Sequence, residues 1–340
     1  MMQAVISDRV KQVHPDKVQG KDLRIVPISG VSTIEPNYRL LDKETLPSVR
    51  VTEISSSGSV PELKVENLLD SYVYLMDGQE LVGAKQNRIL NTDVLVPAKA
   101  TIHIPVSCVE QGRWSYKSQL FSPGKTASHR TRSAKAERVR MSMKRTGRHD
   151  ADQGAVWNEV AASLDHVCAS SDTSALADAY RHKDKELRRF RDSLKMPEEA
   201  VGLAVFHGND FRGLDLFDRH STLVYFWESL VDSYALDWLG AQVQSPEAGT
   251  AAMDEVTSVM QEAASGTWEQ FRAPGEGEDL RLDHPKYAGS ALTWQGRTVI
   301  HLQLFPKGPM PQPEQDRQAR ERRLPRIQRT YGDLGGTIIC

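Results

Sequence analysis

The chain of 340 residues carries 43 lysines and arginines against 45 aspartates and glutamates, a formal net charge of −2, with 39% apolar and 26% charged residues. This is the composition of a globular protein long enough for one large core or two modest domains, and it excludes a disordered chain and a uniformly basic nucleic-acid binder. Cys108, Cys168 and Cys340 form an odd, sparse set that suits a reducing compartment, and neither a signal-peptide core nor a run of about 18 apolar residues is present, so the sequence reads as cytoplasmic with no membrane partner.

Residues 1–22 read as an N-terminal segment. From residue 23 to residue 114 the texture is β-rich: LRIVPI, SVRVTEI, ELKVEN, YVYLM, DVLVP and TIHIPVSCV are short runs split by Gly, Pro, Ser and Asn. In TIHIPV, Ile102 and Ile104 alternate with Thr101 and His103, the period of a strand with one face buried. Asp77-Gly78 marks a tight turn. Together these predict an antiparallel, sandwich-like β module.

Residues 115–305 read as an α+β half. The stretch KTASHRTRSAKAERVRMSMKRTGRH sets Lys125, Arg130, Arg132, Lys135, Arg138, Arg140, Lys144, Arg145 and Arg148 against Glu137 alone. A helix with a solvated face, or one whose cations meet acids elsewhere in the fold, explains it better than a nucleic-acid strip. Val156, Val160, Leu164 and Val167 then recur at helical spacing, with Asp150 or Asp152 as cap. A second helix over 170–195, with Leu176, Tyr180, Leu187, Phe190 and Leu194 inward, should end before Pro197.

AVGLAVFHGNDFRGLDLFD reads as strand, turn, strand, and leads into an apolar helix with Ser221 as N-cap. A further helix near Met253 to Ala264 precedes the hairpin-like pair SALTW and TVIHLQLF, joined by Gln295-Gly296-Arg297. The two hairpins fit as pieces of one sheet. Strands and helices come in blocks rather than in strict alternation, so the fold class is α+β, packed as one large domain. Residues 306–340, rich in Pro, Gln and Arg, read as a flexible tail.

Familiar signatures are missing: there is no Walker phosphate loop, no G-x-G-x-x-G after a strand, no H-E-x-x-H, no paired C-x-x-C and no G-x-S-x-G. His103 with Cys108, or His166 with Cys168, is too isolated for a zinc site, so neither a metal nor a cofactor is expected.

The unusual stretch is DGQELVGAKQNRILN followed by PVSCVEQGRW. Lys85, Gln86, Asn87 and Arg88 break strand alternation after a permissive Gly83, which suggests a bent loop. Lys85 and Arg88 can hold a phosphate or carboxylate, while Gln86, Asn87 and Asn91 can orient a sugar or base; a hairpin rim or a structural network is the competing explanation. Glu80 and Glu110 bracket the run. Two carboxylates brought together raise a pKa and give an acid or base, although Glu80 equally suits a partner for Lys85 or Arg88. Arg113 and Trp114 supply a cation and a stacking surface. Cys108 fits a packed strand end better than a nucleophile. Asp215 in GLDLFD and His301 in VIHLQLF are polar among apolar neighbours, and structural satisfaction is favoured for both.

Taken with ADQGAVWNEV, SDTSALADAY, GLDLFD, SYALDW and HLQLF, this pair of stretches resembles the ADP-ribosylglycohydrolase and rhodanese-phosphatase-superfamily-associated protein domain family, a bacterial group, over about residues 25–305. The resemblance implies a setting in NAD and ADP-ribose metabolism, and hence a nucleotide or sugar-phosphate ligand.

The leading expectation is a pocket in residues 77–114 for an ADP-ribose-like or other phosphorylated nucleotide. Lys85, Arg88 and Arg113 would hold anionic groups, Gln86, Asn87 and Asn91 would orient the ligand, and Trp114 would stack. As an enzyme it would be a hydrolase or transferase acting on a glycosidic or phosphoester bond, with Glu80 or Glu110 as acid/base. The alternatives are a noncatalytic scaffold or sensor working through a partner or homo-oligomer interface, and nucleic-acid binding through residues 125–148 and the tail.

Overall fold

Alternation decides the first sheet. In the strand Val49–Glu53, Val49, Val51 and Glu53 are buried while Arg50 is exposed, and in Glu62–Asn67 Leu63, Val65 and Asn67 are buried in turn. The computed structural model describes residues 2–239 and 251–308. Its elements run α1 (Met2–Lys11), β1 (Val13–Pro15), β2 (Leu23–Gly30), β3 (Tyr38–Leu40), β4 (Val49–Glu53), β5 (Glu62–Asn67), β6 (Tyr72–Leu75), β7 (Gln79–Gly83), β8 (Arg88–Leu90), β9 (Val94–Val96), β10 (Thr101–Cys108) and β11 (Phe121–Thr126). Four helices follow: α2 (His129–Thr146), α3 (Gln153–His166), α4 (Leu176–His182) and α5 (Asp184–Asp192). Then come β12 (Ala200–His207), β13 (Asp210–Phe217), α6 (His220–Leu239), α7 (Ala251–Ser265), β14 (Thr267–Arg272), β15 (Glu278–Asp283), β16 (Tyr287–Trp294) and β17 (Thr298–Pro306).

The strands make an α+β fold of three sheets. A 6-stranded antiparallel sheet, β11-β7-β8-β10-β5-β4, packs against a 3-stranded sheet, β3-β6-β9, through a shared core that includes Val51, Leu63, Leu75, Val94 and Phe121. This is the expected sandwich-like module. Its edge strands β4 and β11 lie in contact, so the larger sheet curls on itself. The 8-stranded sheet, β1-β2-β12-β13-β17-β16-β15-β14, holds both predicted hairpins. Strand β2 comes from the β-rich half of the chain yet pairs with β12, so the two halves are interleaved.

The long sheet is covered on both faces. Leu214, Leu216, Leu280, Leu302 and Leu304 pack on one side against a core that takes in Val5 and Ile6 of α1 and Val256 and Val259 of α7. On the other side Leu203, Phe217, Ile300 and Phe305 meet a core shared with α2, α3, α4 and α6.

Three local details differ from expectation. The helix predicted over 170–195 is two helices parted at Lys183, because α4 buries Leu176, Ala179 and Tyr180 whereas α5 turns Leu187 inward on a separate axis. Ser221 is not the N-cap of α6, which starts at His220; the hydroxyl of Ser32 accepts from the His220 N–H at 3.0 Å in its place. Asp152 does cap α3, accepting from the Ala155 N–H at 3.3 Å. Of the tail read over 306–340, Pro306 closes β17, and residues 309–340 lie outside the described residues.

No helix among the described residues is long and apolar enough to cross a membrane.

Candidate functional site

The 85–88 run is the bend between β7 and β8, and the chain after β10 folds back over it. Hydrogen bonds stitch the two segments: the Val109 N–H donates to Asn87 O at 3.0 Å, Ser115 N–H to Lys85 O at 3.1 Å, and Lys117 N–H to Ala84 O at 2.9 Å. A solvated rim is therefore the wrong description. Lys85, Gln86, Asn87 and Arg88 are all buried, as are Glu80, Glu110 and Arg113.

Asn87 stands between the two carboxylates. Its Nδ2 donates to Glu80 Oε1 at 3.2 Å, and its backbone N–H donates to Glu110 Oε2 at 3.2 Å. Arg113 braces the arrangement: Nη2 donates to Glu110 Oε2 at 2.6 Å and to Asn87 Oδ1 at 3.0 Å, and Nη1 donates to Ala84 O at 2.7 Å. Thr173 donates its hydroxyl to Glu110 Oε1 at 2.9 Å, and Lys117 Nζ lies 3.6 Å from the same oxygen.

These surroundings push the two acids apart. Burial raises Glu80, and although the Asn87 hydrogen bond opposes it, the charge of Glu110 adds to the rise, leaving Glu80 at about 7. Burial alone would raise Glu110 too, but its hydrogen bonds from Arg113, Asn87 and Thr173 outweigh that and hold it below the usual carboxylate range. One carboxyl that exchanges a proton near neutrality beside one that stays ionised is a pairing suited to acid/base chemistry.

Lys85 occupies the outer part of the cluster. Its ammonium donates to Ser57 O at 2.8 Å and sits 5.4 Å from the ring centre of Trp114 and 5.2 Å from that of Tyr116. Those aromatics are 47% and 44% exposed, so they form the open face of the site. Beneath Trp114 lies the Arg88 guanidinium, 5.3 Å from its ring, donating to Gln86 Oε1 at 2.6 Å and to Cys108 Sγ. Burial pushes the Cys108 thiol up to about 11, against the pull of Arg88, which leaves it a packed thiol. Gln86 Nε2 donates to Glu110 O.

Two features of this arrangement differ from a simple anion pocket. Arg88 and Arg113 direct their Nη donors to protein acceptors, while the Nε of each has no hydrogen-bond partner among the described residues. Asn91 points elsewhere, donating to His149 O at 2.9 Å and accepting from the Ser107 hydroxyl at 2.9 Å.

Asn91 belongs to a second constellation that sequence reasoning did not assemble. Asp215, Gln303, Ser290 and Arg281 are register partners across β13, β17, β16 and β15, forming a polar row on the face opposite the leucines. Helix α2 lies over this row and inserts Arg132 and Lys135. Arg132 pairs with Asp215 and donates to Gln303 Oε1 at 3.0 Å; Lys135 pairs with Asp77 and donates to Asn91 O at 3.1 Å. Gln303 Nε2 donates to Asp77 Oδ2 at 2.7 Å, closing the circuit.

His301 links two more acids, with Nδ1 3.0 Å from Asp93 Oδ1 and Nε2 3.2 Å from Asp215 Oδ1. Burial would lower its pKa, but Asp93 and Asp215 overcome that and raise it to about 9, so it stays an imidazolium near neutrality. The basic block thus resolves as a helix whose inward cations meet acids elsewhere. Arg140 and Lys144 likewise reach Glu269, at 3.3 and 2.8 Å. Among the described residues no group of three or more His, Cys, Asp or Glu is arranged to hold a metal ion.

Residues 12–305 match the model of the ARG and Rhodanese-Phosphatase-superfamily-associated Protein domain, and the chain belongs to that family. No curated protein and no solved structure matches it.

Proposed function

We propose that the protein binds an ADP-ribose-like or other phosphorylated nucleotide over the Lys85–Trp114–Tyr116 face and acts on a glycosidic or phosphoester bond with Glu80 and Glu110. The observation that carries this reading is the pair of buried carboxylates joined through Asn87 and displaced in opposite pKa directions, in the same β7–β8 bend that sets Lys85 against the exposed rings of Trp114 and Tyr116. In it Trp114 stacks on a ring and Lys85 exchanges the Ser57 carbonyl for an anionic group. Arg88 and Arg113 contribute positive field from below while orienting Gln86 and Glu110. Asn87 and Gln86 hold the loop in shape, and Asn91 anchors its far end. The family's association with ARG and rhodanese-phosphatase proteins fits a ligand of this class.

The ionised Glu110 is suited to activate water or a hydroxyl, and Glu80, half-protonated near neutral pH, to protonate a leaving oxygen. Calorimetry with ADP-ribose, NAD, AMP and ribose 5-phosphate tests the binding. Heat with at least one of them, weakened about tenfold or more by Lys85→Ala or Trp114→Ala, is expected. No heat with any of them overturns the proposal. Turnover of a bound ligand that survives in wild type but falls in Glu80→Gln and Glu110→Gln, with binding retained, assigns the chemistry.

A further inference from the structure

Glu53 is a buried acid beside Arg88 that this scheme leaves unused. It follows Val49 and Val51 on the inward face of β4, and its side chain is 3% exposed. Neither carboxylate oxygen accepts a hydrogen bond among the described residues, and Arg88 Nη2 stands 3.7 Å from Oε1, close enough for an ion pair but not for a hydrogen bond. Arg88 Nε is buried without a partner as well. The Arg88 charge offsets part of the cost of burying this carboxyl, but both of its oxygens keep open hydrogen-bonding capacity that a donor from outside could fill.

The place has a definite cover. Residues 55–60 cross in front of Glu53, and Gly58 takes φ +78°, a conformation that favours glycine. A Cβ there would stand 3.2 Å from Trp114 Cζ2, 3.3 Å from Glu53 Oε2 and 3.3 Å from Lys85 Cδ. Gly58 therefore fills the spot around which Trp114, Lys85 and Glu53 converge. Two bonds tie this cover to the floor, Lys85 donating to Ser57 O at 2.8 Å and Arg88 Nη2 to Ser59 O at 3.5 Å, while the Gly58 N–H bond to Ser55 O at 3.0 Å is internal to the cover. An anion that drew the Lys85 ammonium away would release the main contact of the cover with the floor.

The chemistry of the missing partner follows from the charges around it. Arg88 beside Glu53, with Lys85 close by, disfavours a cationic ligand, so the donor must be neutral. Two open carboxylate oxygens ask for two adjacent donors. We propose that Glu53 reads the vicinal hydroxyls of a ribose, once residues 55–60 move aside, while the ring attached to that ribose stacks on Trp114 and its phosphate meets Lys85. This rests on the nucleotide reading above and adds the sugar specificity to it.

Calorimetry comparing AMP with 2′-deoxy-AMP, and ribose 5-phosphate with 2-deoxyribose 5-phosphate, tests it on the intact protein. Wild type is expected to bind the ribose member of a pair about 10- to 100-fold more tightly, the weight of a hydrogen bond to a charged group. In Glu53→Gln that preference should shrink to within about threefold, the ribose member losing more affinity than the deoxy member, which keeps only one of the two hydroxyls. Equal binding of ribose and deoxyribose members by wild type overturns the Glu53 assignment while leaving nucleotide binding standing, and so does an undiminished preference in Glu53→Gln. Binding of none of the probes removes the nucleotide reading itself. The wild-type comparison needs no variant, so it decides the matter even if Glu53→Gln does not fold.

Discussion

The Nδ2 of Asn87 donates to Glu80 Oε1 at 3.2 Å, deep in the β7–β8 bend, and Glu80 nevertheless titrates at about 7. Burial outweighs the hydrogen bond. A carboxyl raised from 4.5 to about 7 stabilises the fold in its protonated form, fully below about pH 4.5, and that stability is lost as pH rises through about 7. The full effect is of order 3 kcal/mol. Urea unfolding between pH 4.5 and 7.5 should therefore show a downward contribution with pH that Glu80→Gln abolishes; an identical pH slope in the variant would refute it.

His301 acts in the same direction but at higher pH. Its pKa is raised from 6.5 to about 9 by Asp93 and Asp215, so its stabilisation is complete below about pH 6.5 and fades as pH passes about 9. Nitrogen chemical shifts of the ring should report an imidazolium at pH 7.5. His301→Ala, which leaves Asp93 and Asp215 facing each other, should lower stability by about 3–5 kcal/mol.

Lys135 and Asp77 are both fully buried, one reaching from α2 and the other from the turn after β6. Removing one charge leaves the other uncompensated. Lys135→Met should cost about 3–5 kcal/mol, whereas Lys135→Met with Asp77→Asn should cost less than the two single changes added together. Additive costs in a denaturation cycle would mean that the pair is not coupled.

Gly124 lies where β11 crosses β7, and a Cβ on it would stand 2.8 Å from Glu80 Oε2 and 2.7 Å from Val82 Cγ2. Gly124→Ala is expected to destabilise by about 1–3 kcal/mol through overpacking. In a Glu80→Ala background part of that loss should vanish, because one of the obstructing atoms is gone. Thermal unfolding of the single and double variants checks this.

The strands of the first half were legible because their inward and outward residues alternate, as Val49, Val51 and Arg50 do in β4. The convergence of two segments was suggested by residue type: Lys85 through Arg88 break the strand alternation, and the structure brings Glu80, Glu110 and Arg113 together around Asn87. The burial of Glu53 was missed: it keeps the parity of two buried valines, yet a glutamate at a strand end looks like a solvent-facing residue unless that parity is followed. The ionic seam was not readable. Lys135 meets Asp77 across 58 positions of chain and Gln303 meets Asp77 across 226, and only the strand order and the placement of α2 bring them together. Local pattern also missed the break at Lys183, where the choice between one helix and two depends on what each half packs against.

The seam has a bearing on how a nascent chain completes itself. Asp77 and Asp93 emerge early, in the sandwich, but His301 and Gln303, which neutralise or bond them, lie on the final strand of the long sheet. Until β17 docks, Asp93 lacks the imidazolium of His301 and Asp77 has Lys135 but not the Gln303 amide, so the sandwich presents under-compensated acids toward a region meant to be dry. Closure of the interior thus awaits β17, and a fragment stopping short of residue 301 should remain loosely packed however well its own strands pair.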